Sequence, residues 1–544
     1  MTTSQDRAIA ARKAAEEAAR IAAEAAAAAE AAEREAAASG GASESAARVI
    51  AAGYAVGGAA LELGAVVVDG VVDSDARVRI PMRTMNRHGL IAGATGTGKT
   101  RTVQGIAEQL SAAGVPVVLA DVKGDLSGLA LAGDNSEQVS ARARESGDAQ
   151  WSPSGFPVEF VSLGTEGIGV PIRATITSFG PVLLSKVLGL NETQESTLGL
   201  IFHWADSQGL ALLDLKDLRA VIQHLTSAEG KADLKGIGGV SAATTGVILR
   251  ALVNLEAEGG DTFFGEPELD PADLLRTAGG RGVITAFELG AQSARPALFS
   301  TFLMWVLADL FQTLPEVGDV DRPKLVFLFD EAHLLFRDAS KAFLAQVEQT
   351  VKLIRSKGVG VFFCTQLPTD IPNPVLSQLG SRIQHALRTF TPEDQKALSK
   401  TVRTYPRTDV YDLEQALTSL GTGEAIVTVL SEQGAPTPVA WTRLRPPRSS
   451  MAGLGDDAVR ARAQAGPLWA KYGETVDRES AYEIMAAKVA AAQPEPRPSA
   501  RPEESGSSAA DRIMSNPAVK SFLRSAATVA GREIGRSLFG TRRR

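Results

Sequence analysis

The chain has 544 residues and a mass of 56.9 kDa, enough for about three or four domain-sized pieces, and its 44% hydrophobic and 22% charged content excludes a wholly disordered protein. One cysteine, Cys364, excludes a disulfide scaffold and a Cys-rich zinc site, and five histidines argue against a His-rich metal centre. The net charge of −7 gives no global case for nucleic-acid binding, so any such contact needs a local basic surface.

Residues 1–48 are an Ala-rich segment: 17 of the 28 residues from Ala11 to Ala38 are alanine. Alanine loses no side-chain entropy in a helix, so a helical extension is predicted, with little apolar surface to pack on a core. Its alanines alternate with Glu and Arg, unlike a secretory signal core. No uninterrupted apolar run reaches membrane-spanning length either. The expected location is the cytoplasm.

From about Ala47 short Val/Ile-rich runs alternate with helical patterns. Strands are expected at Gly89–Ala92, Pro116–Ala120, Gly282–Leu289, Lys324–Phe329, Val359–Cys364, Ile383–Leu387 and Ala425–Leu430. Most are near-continuously apolar, as strands buried on both faces are. Helices are expected at Lys99–Ala113, at Ser340–Lys357 and from Thr391, where Thr-Pro-Glu-Asp supplies an N-cap, a Pro at the first helical position and acids in the first turn. The alternation predicts an α/β fold with a mostly parallel sheet. Between 170 and 279 the pattern is helical instead (Pro181–Leu190, Glu192–Ser207, Leu215–Leu225 and Ser241–Glu258). The expected organisation is an extension (1–48), an α/β core (49–169), a helical insertion (170–279), the rest of the core (280–445) and a helical or disordered basic tail (446–544). Within that tail Pro494–Ser508 reads as a linker, and Asp511–Arg544 carries eight basic residues against two acids.

The chemistry is concentrated in two stretches. Gly93-Ala94-Thr95-Gly96-Thr97-Gly98-Lys99-Thr100 matches G-x-x-x-x-G-K-[ST], between a short strand and an amphipathic helix. Glycines let the backbone wrap an anion and turn N–H groups inward, and the helix N-terminus adds partial positive charge. Gly93 to Arg101 are therefore the expected nucleotide contacts, with Lys99 on the outer phosphates and the Thr100 hydroxyl on Mg²⁺. The second stretch, Leu325–Phe329 followed by Asp330-Glu331-Ala332-His333, is a buried strand ending in two carboxylates. Asp330 is expected to hold Mg²⁺ and Glu331 to polarise the attacking water, which makes this a hydrolase site. Gln366, after the strand Val359–Cys364, is placed to sense the γ-phosphate, and Asp121 borders the same region. Arg355, Arg382 and Arg388 are candidates for the guanidinium that phosphoryl transfer uses, often from a neighbouring subunit.

Taken together and in order, Asn86–Thr100, Asp121-Val122-Lys123-Gly124-Asp125, Phe329–Phe336 and Cys364-Thr365-Gln366 resemble the HerA-like helicase family of the HerA–FtsK branch of P-loop ATPases, and within the insertion Asn191–Glu195 and Gly259–Pro267 resemble the same family. The resemblance runs from about Met85 to Arg445. It implies a RecA-like fold, ATP hydrolysis with Mg²⁺, and assembly into a homo-oligomeric, usually hexameric, ring. It also implies Gln366 as a polar sensor and an arginine near Arg382 or Arg388 acting across a subunit boundary. Asp330-Glu331-Ala332-His333 also spells the motif of the DEAH-box RNA helicases, but 229 residues separate Thr100 from Asp330, too many for that family.

Two functions follow as expectations. One is a motor on DNA, a helicase or translocase, which needs a ring and a basic pore. The other is an ATPase that remodels protein or acts as a nucleotide switch. The basic C-terminal segment is a candidate anchor to membrane or nucleic acid, against a simple solvated tail.

Overall fold

The computed structural model describes residues 46–234, 238–257, 259–289, 296–318, 320–336 and 341–492. The expected Ala-rich helix, the linker at Pro494–Ser508 and the basic segment Asp511–Arg544 lie outside the described residues.

The chain opens with strands β1 (Ala60–Val68) and β2 (Val71–Pro81) in an antiparallel hairpin. Its two-residue turn is Asp69-Gly70, with φ of 50° and 77°. This is the type I′ geometry that matches the twist of paired strands. β3 (Gly89–Ala92), β4 (Val117–Asp121), β5 (Val158–Leu163) and β6 (Val170–Ile172) follow, then a small hairpin of β7 (Thr277–Ala278) and β8 (Arg281–Gly282). β9 (Ile284–Glu288), β10 (Leu325–Phe329), β11 (Val359–Thr365), β12 (Ser381–Gln384), β13 (Glu424–Thr428) and β14 (Ala440–Leu444) complete the set.

All but the small hairpin join one 12-stranded sheet, in the order β2-β1-β14-β13-β12-β3-β11-β10-β4-β9-β5-β6. Pairing is parallel from β12 through β6 and antiparallel from β2 through to the β13–β12 pair. The fold is the expected α/β class with a mostly parallel sheet.

The central strands are apolar throughout because each face meets its own core. Leu325, Phe327 and Phe329 of β10 enter one core, and Val326 and Leu328 enter the other. In β11, Val359, Val361 and Phe363 alternate in the same way with Phe362 and Cys364. The helix Lys99–Ala112 covers one face with Val103, Ile106 and Leu110. Helices Pro296–Thr313 and Lys341–Ile354 cover the other, together with the helices of the insertion.

Several boundaries differ from the sequence expectation. The strand expected at Gly282–Leu289 begins at Ile284, because Arg281 and Gly282 turn into the small hairpin. The strand expected at Ile383–Leu387 runs Ser381–Gln384. The insertion begins with a strand, β6. Its first helix starts at Ile176, where Thr175 accepts the Ser178 N–H, and bends at Gly180 (φ 76°) before Pro181. The Gly-Pro pair marks this bend and not the helix start. Arg443–Ser450 reads as a departure from the core, yet it stays packed: the N–H groups of Arg448 and Ser449 both donate to Glu108, at 2.8 Å each. One compact unit continues to Ala486.

Candidate active site

The Gly93–Gly98 loop leaves β3 and enters the helix Lys99–Ala112. β3 lies between β11 and β12, and the ends of both neighbours hold the loop. The Gly93 N–H donates to the carbonyls of Thr365 (3.2 Å) and Gln366 (3.1 Å), and the Ala94 N–H to Ala386 (2.8 Å). Two glycines are required sterically. Gly93 has φ 149°, and a Cβ there would lie 2.5 Å from His385 Cβ. Gly98 has φ 110°, a value L side chains rarely adopt, against the backbone of Gly423. Lys99 Nζ donates to the carbonyls of Gly93 (2.6 Å) and Ala94 (3.1 Å), so its ammonium group sits over the loop. Thr100 opens the helix beside it. Arg101 turns elsewhere, donating to Gln104 Oε1 and to the Met451 carbonyl, both at 2.8 Å.

His385 supports the loop from beneath. Its Nδ1 lies 3.1 Å from the Thr97 carbonyl and its Nε2 2.9 Å from Thr102 Oγ1. A neutral ring satisfies both contacts, Nδ1–H donating to the carbonyl and Nε2 accepting from the hydroxyl. Burial, and then the Lys99 charge, hold its pKa down at about 4. The sequence pattern gives no signal for this residue, because its partners lie more than 280 positions away.

The strands next to β3 end in a row of acids. Asp330 follows β10, Asp121 closes β4 and Glu288 closes β9, all at the end of the sheet that carries the loop. Asp330 is buried, its Oδ2 has no partner among the described residues, and burial followed by the Glu331 charge raises its pKa. Asp121 accepts the N–H groups of Lys123, Gly124 and Leu126, yet burial still lifts its pKa to about 6. Glu288 has a buried Oε1 with no partner among the described residues, and burial, then Asp121, lift it to about 8. Glu331 takes a left-handed backbone (φ 49°) that turns its side chain out of the strand line. Its Oε1 pairs with Lys123 Nζ at 2.5 Å, and its Oε2 faces His333 Nδ1 at 3.3 Å.

Of the remaining expected residues, Gln366 is exposed and touches the loop through its carbonyl. Arg388 is exposed just past Leu387, near the loop end. Arg382 and Arg355 lie elsewhere. With Arg87 and Lys352 they line a cavity of about 470 Å³ where β3, β11 and β12 begin, at the other end of the sheet. Lys123, His385 and Arg142 complete the surroundings of the loop. Arg142 donates to the carbonyls of Thr422, Gly423 and Leu444.

A parallel α/β sheet with a glycine loop at a strand–helix junction, and strand-end carboxylates beside it, defines a P-loop nucleotide-binding core. The chain belongs to the helicase HerA-like C-terminal family, whose model matches residues 68–544. It is therefore a member of a HerA-type P-loop ATPase family. Among solved structures, it is similar to the plasmid coupling protein TrwB in complex with ADP and Mg²⁺ (15% identity, 74% of this chain and 98% of that one, TM-score 0.48). It is also similar to VirB4 of Thermoanaerobacter pseudethanolicus (15% identity, 72% and 97%, TM-score 0.46). EssC (ATPases 2 and 3) from Geobacillus thermodenitrificans matches at 11% identity over 77% of this chain and 50% of that one, with a TM-score of 0.30. No curated protein matches the chain. No helix among the described residues is long and apolar enough to cross a membrane.

Proposed function

We propose that the chain hydrolyses ATP with Mg²⁺ and works as a ring of identical subunits, hexameric as the family resemblance implies, that moves along DNA. One observation carries this reading: Lys99 lies over the glycine loop, and Asp330 and Glu331 end a strand of the same sheet at the same end.

In this reading the N–H groups of Gly93 to Arg101 receive the phosphates, and Lys99 exchanges its two loop carbonyls for phosphate oxygens. The unpartnered Oδ2 of Asp330 fits a cation, and the Thr100 hydroxyl is its second protein ligand. Bound Mg²⁺ supplies charge neutralisation on the phosphates. Glu331 takes the proton of the attacking water as the γ-phosphoryl bond breaks and ADP leaves. Both of its oxygens are engaged beforehand, so the Lys123 pair opens before Glu331 can act as base. Gln366 senses the γ-phosphate. Arg388, or Arg382 and Arg355 presented from a neighbouring subunit, meets the developing negative charge.

Two observations divide the readings of what the motor moves. The basic cavity of Arg87, Lys352, Arg355 and Arg382 favours a polyanion or a neighbour's triphosphate. The net charge of −7 favours the alternative, an ATPase that remodels protein or switches without nucleic acid. ATPase rate measured with and without DNA separates them. Stimulation that weakens steeply with salt is expected for the DNA motor, and indifference to any nucleic acid would favour the alternative.

A further inference from the structure

The cavity at the basic end of the sheet holds cations without a counter-charge. Arg87, Lys352, Arg355 and Arg382 line its 470 Å³, and none of the four side chains makes an ion pair or a hydrogen bond among the described residues. Half-buried arginines elsewhere behave differently: Arg443, Arg445 and Arg448 each pair with a carboxylate. Arg87 and Arg382 are half-buried too, so solvent screens their mutual repulsion only in part. An anion seated between them relieves it.

The frame around these cations is fixed by the backbone. The Gly380 N–H donates to the Arg87 carbonyl (3.0 Å) and the Ser381 N–H to the His88 carbonyl (3.1 Å), which ties the segment before β3 to the start of β12. His88 is 2% exposed and takes a left-handed backbone (φ 59°). Its Nδ1 accepts the Val361 N–H at 3.0 Å, and burial holds its pKa down at about 4, so the ring is neutral and its proton sits on Nε2. That buried N–H has no partner among the described residues, and His88 lines the same cavity. A buried donor without an acceptor is costly. A ligand with several acceptor oxygens answers both the unpaired charges and the donor.

Guanidinium forks hold a phosphate group through paired N–H···O bonds, and a dianion gains more from four cations than a singly charged diester does. ATP with Mg²⁺ arrives with its phosphates already engaged by a cation and gains less. We propose that this cavity binds a free phosphate dianion, either inorganic phosphate or the terminal group of a phosphate monoester, separately from the loop Gly93–Thr100, and that its occupancy lowers ATP turnover by engaging Arg382 and Arg355. The binding half stands on the cavity alone. The turnover half rests on the reading above, in which those arginines serve a neighbour's loop. Inorganic phosphate is a product of that reaction, so the cavity makes a subunit responsive to the product that accumulates around it.

Binding is tested on the full chain carrying Lys99→Ala, which disables the loop, with inorganic phosphate and glycerol phosphate as separate probes. At least one probe should bind, and adding Arg87→Ala should weaken it by about tenfold or more. Arg87 makes no side-chain bond, so its removal carries little risk to folding. Tighter binding of the ester than of the free ion assigns the cavity to a monoester, and the reverse assigns it to inorganic phosphate. Failure of the Lys99→Ala chain to bind either probe would overturn the site, as would binding indifferent to Arg87→Ala. A DNA oligonucleotide that binds through Arg87 where both probes fail would overturn it in favour of a diester backbone. Turnover is then followed with added phosphate at constant ionic strength. Phosphate should lower kcat by up to about tenfold with KM for ATP unchanged, and Arg87→Ala should be insensitive. A raised KM with unchanged kcat places the inhibitory phosphate on the loop and overturns the turnover half. A chain that binds a probe at the cavity but hydrolyses no ATP leaves the site standing and removes the ATPase reading.

Discussion

The two ends of the central sheet carry opposite chemistry. Where β3, β4, β9 and β10 finish, the chain places the phosphate loop, Lys99, and the acids Asp121, Glu288, Asp330 and Glu331. Where β3, β11 and β12 start, it places Arg87, Lys352, Arg355 and Arg382 around a cavity, with no carboxylate among the described residues of its lining. In a parallel sheet all strands point one way, so residues after the strands gather at one end and residues before them at the other. An acid-rich end handles an anion only through the loop and a cation. A basic end handles an anion directly. A single subunit cannot bring its two ends together, but two copies can, so a role for Arg382 or Arg355 at the loop needs an oligomer.

The largest expected effect comes from removing the loop's cation. Lys99→Ala should leave no ATP turnover above background and no measurable ATP binding by titration. Glu331→Gln comes next. It keeps the loop and the ammonium group, so ATP binding should survive while turnover falls by about 10²–10⁴-fold. Normal turnover in that variant would remove Glu331 from the base role. At the basic end, Arg382→Ala should leave ATP binding intact and lower turnover by about tenfold, roughly 1.4 kcal/mol of barrier, because Arg355 and Arg87 remain. Mixing Arg382→Ala with Lys99→Ala chains sharpens the contrast between the ends. Recovered turnover means the arginine serves a neighbour's loop, and no recovery means it serves its own or none.

Legibility followed the same division. The loop end could be read because its parts are contiguous: a glycine pattern after one strand, two acids after another. β10 and β11 could be read because two cores make them apolar at every position. The basic cavity could not, since Arg87 lies more than 260 positions from Lys352, Arg355 and Arg382 and meets them only through strand order. His385 was hidden for the same reason. β1 and β2 carry a sequence signal of their own. Asp69-Gly70 between Val66-Val67-Val68 and Val71-Val72 is a strong hairpin signal, obscured by the polar Asp-Ser-Asp that follows. The stretch Arg443–Ser450 reads as the end of the core from its Pro, Arg and Ser content, and its bonds to Glu108 show that it stays packed.

The acid row also leaves a mark on stability. Glu288 is 5% exposed and its pKa rises from 4.5 to about 8, mainly through burial. A carboxyl held above its unfolded pKa keeps a proton that unfolding releases, so the folded state loses stability as pH rises from about 4.5 to about 8. Glu288→Gln removes that loss. It should be more stable than wild type at pH 8 by on the order of 1–2 kcal/mol and should show no such gain at pH 4.5, as read from urea unfolding at both values. Asp121, lifted to about 6 by burial, has the same sign, so the variant keeps a weaker slope that flattens above that value. A wild-type chain whose stability does not fall between these pH values would mean the row is better solvated than its burial implies.

The smallest expected effect separates a latch from a support. Lys123 is 48% exposed and pairs with Glu331, which is 12% exposed. A partly exposed ion pair contributes about 0.2–1 kcal/mol and weakens with salt. If the pair restrains the base, opening it costs that much before each turnover, and Lys123→Ala should raise basal ATPase by up to about fivefold. Raised salt should then speed the wild type toward the variant and leave the variant unchanged. If the pair instead holds Glu331 in its working position, the variant should be slower at every salt concentration and Lys123→Arg should restore the rate. The His333 contact at 3.3 Å persists in either variant, so the comparison isolates one of the two groups that engage the carboxylate.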